Sequence, residues 1–563
     1  MKTAISSLVL LLMTMSHPLH ADSRTNYFDR AESQRFGTEA ERRNETTNWL
    51  DDAPVIQIQQ FDLSALSELT DYGIHLESLE LLAAEHLSQR KGRYQVEHLN
   101  DLTRQLTQHL QQQGLLLTRV YIPAQKISAG TLQLAVATGK LESIRVTNNR
   151  LYDERIIQKP LLAQTGKPVS RSTLDTAMLY VQQIPGYEYN ATFAPGEQPG
   201  TTSIQISTVR EKPLQASLGA DNYGSTYTGR QRLYGNLAIN NLTGNADQLT
   251  LGLMYALNPS NSLYGNIGYR YPYMSAATGN GGYVETSYVH NTYAIGKELE
   301  NLDLTGDAST LAVSLTNNLV YRSHEQLIAQ LNLEMKTARL KIQDLTLSED
   351  RLTTLSAGLQ WNTQDQLFGI PARSQIHTLI TQGLPGILNA QDNDTPNSRI
   401  NAAGEYGSRS FTKARIHTSR VHYLNSNELK MTAQLHYSND MLAPIEQTTL
   451  GGPYAVRGYT TSDFNADTAL LLSAEYIGYS ASVLSLPIDQ LKAAVFIDYG
   501  AGWRNEALAN ETDNAELMAI GWYAEFIKDK KFNAKIHMGY PLSSAEPANG
   551  KSMQWYLSLY RSF

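Results

Sequence analysis

The chain has 563 residues, 41% hydrophobic and 18% charged, with a formal net charge of -8. That length supports several domains, and mild acidity with no basic stripe leaves no nucleic-acid footprint. Zero cysteines exclude disulfides and thiol chemistry, while 32 Tyr against 11 Phe and 5 Trp suit positions with an apolar body and a wet tip, as in the girdles of membrane barrels.

Residues 1–21 have the pattern of a secretory signal: Lys2 for charge, Ala4 to Met15 for the apolar stretch, Pro18 to Ala21 for the cleavage region. Leu19 departs from the small residue preferred there. Beyond it no apolar run approaches the ~18–20 residues of a spanning helix. Export without such a helix leaves the periplasm, the outer membrane or the medium. Residues 22–53 are polar and charge-rich, with Tyr27, Phe28, Ala31 and Phe36 too sparse to face a large core. The composition permits either a disordered linker or a solvated helix.

From Pro54 the texture changes. Val55, Ile56, Ile58 and Phe61 predict a short strand. Leu76, Leu79, Ala83 and Leu87 predict a helix over 76–90, and Leu99, Leu102, Leu106 and Leu110 a second over 95–113 with Gly114 as C-cap. Strands over 115–122 and 131–137 close a module at 54–138. The order then repeats over 139–212: a strand at 141–146, a helix at 153–164, a helix capped by Ser172 with Asp175 three residues on, and strands at 187–193 and 203–208. Two successive β-α-α-β-β units resemble POTRA domains. Tyr121-Ile122-Pro123-Ala124-Gln125 and Gly130-Thr131-Leu132 resemble the POTRA segment of two-partner secretion transporters. Such a module can accept an extended peptide on its sheet edge. The candidate edge is the 187–193 strand, with Tyr187, Tyr189 and Phe193 as substrate contacts.

From 213 to 563 the hydrophobic period is two. Leu249, Leu251, Leu253, Tyr255 and Leu257 alternate with Gln248, Thr250, Gly252, Met254 and Ala256. Runs of this kind predict an antiparallel transmembrane barrel of about sixteen strands, once 400–407 is returned to a loop. A solenoid or propeller would show a fixed repeat, and none is visible.

Residues 441–465 form a long loop holding Gly451-Gly452-Pro453-Tyr454-Ala455-Val456-Arg457-Gly458-Tyr459. The glycines free the backbone, Pro453 stiffens the approach, and Arg457 offers a planar fork to a carboxylate. Val456-Arg457-Gly458-Tyr459 resembles the sixth-loop signature of the Omp85 superfamily, whose arginine pairs with an aspartate on an inner-wall strand. The run 491–503 supplies one. Ala493, Val495, Ile497, Tyr499, Ala501 and Trp503 make an apolar face, so Asp498 points inward with Phe496 and Gly500. Phe496-Ile497-Asp498-Tyr499-Gly500 resembles the matching wall motif, and the pair implies a non-catalytic latch. Met553, Trp555, Leu557, Leu559 and Phe563 share one face of the last strand; Trp555 and terminal Phe563 resemble an outer-membrane assembly signal.

No His-Glu-x-x-His, phosphate-binding loop or Gly-x-Ser-x-Gly elbow occurs, so no metal site, cofactor or enzyme activity is expected. As a whole the chain resembles a two-partner secretion transporter of the Omp85 superfamily. The fold class this implies is mainly β: a plug helix over 22–53, two periplasmic POTRA domains and a 16-stranded outer-membrane barrel. The implied partners are a secreted exoprotein (haemolysin, adhesin or contact-dependent inhibition toxin), outer-membrane lipid and the barrel assembly machinery, with the protein monomeric and nucleic acid excluded. A barrel-assembly factor and a diffusion porin with periplasmic adaptors are the alternatives. Module number separates the first, and steady conduction without the amino-terminal segment the second.

Overall fold

The computed structural model describes residues 55–258, 262–274, 280–461, 463–480 and 489–563. The expected signal (1–21) and plug helix (22–53) lie outside them. The described chain falls into two compact units that meet in sequence between Glu211 and Lys212.

The first module begins with β1 (Ile56–Gln57), β2 (Gln60–Asp62) and a 3-10 turn over Ser64–Tyr72. It continues with α1 (Leu76–Arg90), β3 (Arg93–Tyr94), α2 (Val96–Gln112), β4 (Arg119–Tyr121), β5 (Thr131–Gln133) and β6 (Ala135–Ala137). Helix α2 forms because Leu99, Leu102, Leu106 and Leu110 recur on one face, and all four are buried. It starts at a reciprocal cap between Gln95 and His98 and stops at Gln113, so Gly114 is the residue after the cap, at φ 102°. Leu66, Leu69, Leu79, Ala83, Tyr94, Val120, Leu132 and Leu134 complete the core. The expected strand over 115–122 shrinks to β4, and that over 131–137 splits at Leu134. Leu134 turns inward, and its N–H donates to Asp62 O at 2.9 Å. β5 pairs in parallel with β2, a contact local periodicity cannot reveal.

The second module comprises β7 (Lys140–Thr147), α3 (Glu154–Leu162), α4 (Arg171–Gln182), β8 (Tyr187–Pro195) and β9 (Thr201–Glu211). Asp153 caps α3 by accepting from Arg155 N at 2.8 Å. The cap of α4 is Ser170, not Ser172. Ser170 has extended backbone (φ -97°, ψ 145°) and accepts from Thr173 N, whereas Ser172 is already inside the helix. The sheet order is β7-β9-β8, so β8 is an edge strand. Backbone bonds Leu116 N to Val169 O (3.1 Å) and Arg171 N to Gly114 O (2.8 Å) join the two modules.

The second unit is a closed antiparallel barrel of sixteen strands. In ladder order they are β10 (Leu214–Asp221), β11 (Gln231–Asn240), β12 (Gln248–Asn258), β13 (Ser262–Met274), β14 (Gly281–Ala294), β15 (Leu304–Tyr321), β16 (Glu325–Ile342), β17 (Leu345–Leu367), β18 (Ile370–Gly383), β19 (Thr412–Leu424), β20 (Asn427–Ser438), β23 (Thr468–Ser480), β24 (Gln490–Trp503), β25 (Asn514–Lys528), β26 (Phe532–Pro541) and β27 (Gln554–Ser562). β21 (Thr448–Thr449) and β22 (Asn465–Ala466) pair inside the loop before β23. Residues 400–407 contribute one isolated bridge, Ile400 to Tyr406, and stay in a loop. Closure comes from β10 on β27, with Ser217 opposite Ser562 through Asp221 opposite Ser558. No helix among the described residues is long and apolar enough to cross a membrane; here strands do so, apolar side chains outward and polar ones inward. On β24, Val495, Ile497 and Trp503 are exposed, and Ala494, Phe496 and Asp498 are buried; Ala501 alone breaks the pattern.

Candidate functional site: an arginine latch in the barrel lumen

Residues 439–467 leave β20 and turn into the barrel as a narrow hairpin, stiffened by the β21–β22 pair. Leu450, Val456, Tyr459, Phe464 and Ala466 of the loop form one apolar cluster with Ala469, Leu517 and Ala519 of the wall. Burying that side of the hairpin fixes its tip against β24 to β26. Of the tip glycines, Gly452 takes the left-handed backbone (φ 113°). Gly458 serves by its size: a Cβ there would stand 2.7 Å from Ala519 Cβ and 2.9 Å from Pro541 N. The wall answers with Gly539, where a Cβ would lie 2.2 Å from Arg457 O.

These approaches aim Arg457 at the inward face of β23 and β24. Its Nε donates to Asp498 Oδ2 and its Nη2 to Asp498 Oδ1, both at 2.7 Å, and its backbone N donates to Oδ2 at 3.1 Å. Nη1 donates to Glu475 Oε1 at 2.6 Å, and Nη2 also reaches Ser473 Oγ at 3.1 Å. Ser473 in turn donates to Asp498 Oδ1 at 2.7 Å. The guanidinium lies 3.4 Å over the Phe496 ring, adding a cation–π contact. Lys430, 3.8 Å from Glu475 Oε2, balances the second carboxylate. The Arg457 side chain is 7% exposed and that of Asp498 1%. A buried guanidinium is tolerable only when its donors are met, and here a bidentate carboxylate meets two of them. The geometry holds a loop. It presents no nucleophile beside a base, and no metal-holding cluster occurs among the described residues.

Val456 and Tyr459 are buried, and Tyr556 Oη of β27 donates to Tyr459 O at 2.6 Å. Sequence reasoning paired Arg457 with Asp498 and missed Glu475, Ser473 and Phe496 as partners. The signal lay in strand register, since Ser473 stands opposite Asp498 and Glu475 opposite Phe496.

The structure corrects the proposed edge contacts of the second module. Tyr187 and Tyr189 are each 3% exposed, stacked at 5.6 Å. Their hydroxyls meet Thr208 Oγ1 (3.1 Å) and Met178 O (3.2 Å). Both face the module's core because an edge strand still buries one side, and Phe193 is half-buried. What β8 offers a peptide is backbone. Trp555 and Phe563 are exposed on the outer face; Trp555 packs edge-on to Trp522 at 5.9 Å, and Phe563 N donates to Ala216 O at 2.9 Å.

The family model for haemolysin secretion/activation proteins ShlB/FhaC/HecB matches residues 200–524. The chain belongs to that family. A ShlB-type POTRA model matches residues 72–139. This ShlB/FhaC/HecB member is 23% identical over 521 residues to the heme/hemopexin transporter protein HuxB of Haemophilus influenzae (strain 86-028NP), covering 91% of this chain and 87% of the relative. It is 25% identical over 376 residues to the outer membrane transporter CdiB of Dickeya dadantii (strain 3937), covering 65% and 63%. Its fold is similar to that of CdiB from Escherichia coli, with TM-score 0.74 and 19% identity over 100% of this chain and 99% of that one. Similarity to BamA from Haemophilus ducreyi lacking POTRA domains 1–3 is lower, with TM-score 0.52 and 14% identity over 84% and 94%. The protein is an outer-membrane β-barrel transporter of the two-partner secretion type; the assembly-factor and porin alternatives are not favoured.

Proposed function

We propose that this transporter secretes one large exoprotein in extended form through the barrel lumen, with the Arg457 loop as the latch of the resting pore. The observation that carries the reading is a fully partnered Arg457–Asp498 pair joining a loop tip to the inner wall of a sixteen-stranded barrel. Both modules, the second read as a further POTRA domain, stand in the periplasm and take cargo on the β8 edge by strand addition. Cargo of the haemolysin, adhesin, contact-dependent inhibition or heme-carrying kind follows from what the relatives are named for. Residues 22–50 act as a plug, and the terminal strand with Trp555 and Phe563 serves recognition by the barrel assembly machinery. The protein works as a monomer in outer-membrane lipid, without enzymatic activity, and folding of the cargo outside drives export.

Single-channel conductance in planar bilayers tests this. Deleting residues 22–50 should turn a mostly closed, flickering channel into a steadily open one, and Arg457→Ala should add open time and abolish export of a co-expressed two-partner exoprotein. Equal conductance of all three forms with undiminished export would refute it.

A further inference from the structure

The lumen holds another buried ion cluster, away from Arg457, and it too grips the loop. Glu446 ends a one-turn 3-10 helix, Pro444–Glu446, on the limb that enters from β20. Its side chain is 0% exposed and takes charged donors from two separate wall strands. Lys336 Nζ of β16 reaches Oε1 at 2.9 Å, and Lys413 Nζ of β19 reaches Oε2 and also the Glu446 carbonyl, the latter at 3.1 Å. Lys336 pairs in addition with Glu334 at 2.8 Å. Two lysines and two glutamates make a neutral set. Leu352, Phe411, Leu442 and Ala443, all buried, close over it as an apolar layer.

Position decides the consequence. β16 and β19 are separated on the wall by β17 and β18, and neither belongs to the β23–β24 pair that receives Arg457. Asp467 binds the loop's two limbs to one another, accepting from Leu442 N (3.1 Å) and Gln447 Nε2 (2.9 Å), and Arg399 of the loop between β18 and β19 caps this tie, donating to Asp467 (2.8 Å) and to Leu442 O (2.9 Å). That leaves Glu446 as the ionic link from the entering limb to the wall. On the strands of the wall the loop is therefore fastened at two charged sites, the Arg399–Asp467 contact lying between neighbouring loops, and breaking one wall site leaves the other charged set complete.

We propose that Glu446, with Lys336 and Lys413, is a second positioning lock for transport, holding the entering limb against β16 and β19 independently of Arg457 and Asp498. The proposal rests on the reading of the loop as a latch. Release at Arg457 then frees the tip while the limb stays docked, so the lumen is cleared from one side.

The chain contains no cysteine, so a single introduced thiol reports on one place. In the full-length protein, Ala443→Cys reports on the limb and Val456→Cys on the tip, since both positions are buried. Glu446→Gln takes the paired carboxylate from buried Lys413 and leaves Lys336 with Glu334 alone, and should raise the maleimide labelling rate at 443 by ~10-fold or more, with the rate at 456 unchanged. Arg457→Ala should do the reverse. Unchanged labelling at 443 in Glu446→Gln, or rates at the two positions that always move together, would overturn the lock. Should Glu446→Gln fail to give a heat-modifiable barrel, the charge swap Lys413→Glu with Glu446→Lys decides. Slow labelling at 443 restored by the swap supports the lock, and fast labelling refutes it. Were Arg457→Ala to leave position 456 slow, the latch reading would fail while the Glu446 lock stood.

Discussion

Two of the buried arginine–aspartate pairs of this barrel share nearly the same geometry. Arg232 meets Asp221 through Nε (2.7 Å) and Nη2 (2.9 Å), and Arg457 meets Asp498 through the same two groups. The first pair sits on neighbouring strands, directly opposite in the β10–β11 ladder. Backbone bonds already place its partners, so the contact fixes register beside the closing seam at little further entropic cost. The second pair joins a loop to a wall. No strand pairing places those partners: the pair, its flanking apolar cluster, the close backbone approach, the Tyr556 hydrogen bond and the Glu446 set do so together, and ordering the loop must be offset there. Glu475, Ser473 and Phe496 are recruited for that reason. One stitches a sheet; the other fastens a loop to it.

The largest break should come at the wall end of the loop. Asp498→Ala leaves Arg457 buried with Glu475 as its remaining carboxylate, costing loop docking about 3–5 kcal/mol. Bilayer recordings should show long open states, with the barrel still heat-modifiable. Asp221→Ala strands Arg232 in the same way, and the ladder absorbs part of the loss. We expect about 2–3 kcal/mol, read as a lower barrel melting temperature with conductance unchanged. If Asp221→Ala opened the channel as Asp498→Ala does, the distinction between stitch and fastener would collapse. Ser473→Ala removes a donor to Asp498 and an acceptor for Arg457, and should cost about 1 kcal/mol, visible as more frequent brief openings.

Acid sharpens the comparison from outside the lumen. His86 in the first module is buried, with Nδ1 3.2 Å from Tyr94 Oη. Burial, with Arg90 adding to it, pushes its pKa below the usual histidine value, and nearby Asp101 opposes the shift. The folded module thus binds the proton less readily than the unfolded chain. Stability is complete above about pH 6.5 and is lost as pH falls below it. Hydrogen-exchange protection in α1, taken relative to the intrinsic rate at each pH, should fall between pH 7.5 and 5.5, and His86→Gln should flatten that dependence. Neither lumen pair contains a histidine, so conductance over the same range is the control.

The barrel and the Arg457–Asp498 pair were legible because their signals are local and redundant. Period-two runs mark strands wherever one face meets lipid, and Arg457 and Asp498 each sit in a distinctive short motif. What escaped notice depends on partners distant in sequence. Glu446, Lys336 and Lys413 read singly as ordinary wet residues of a lumen. Their meeting requires β16, β19 and the loop to be placed at once. Tyr187 and Tyr189 sat on a strand correctly placed at a sheet edge, yet period two does not say which face is the core. In the first module, short strands paired in parallel across seventy residues leave no alternation to read.

The hydrogen bond from Tyr556 to the Tyr459 carbonyl carries a chronology. Tyr556 belongs to β27, the strand that closes the barrel on β10, and Pro541, against which Gly458 rests, ends the strand before it. The loop emerges about a hundred residues earlier, when its berth is still unmade. The loop can therefore be seated only once both strands are in place, and its docked state requires a finished carboxy-terminal wall.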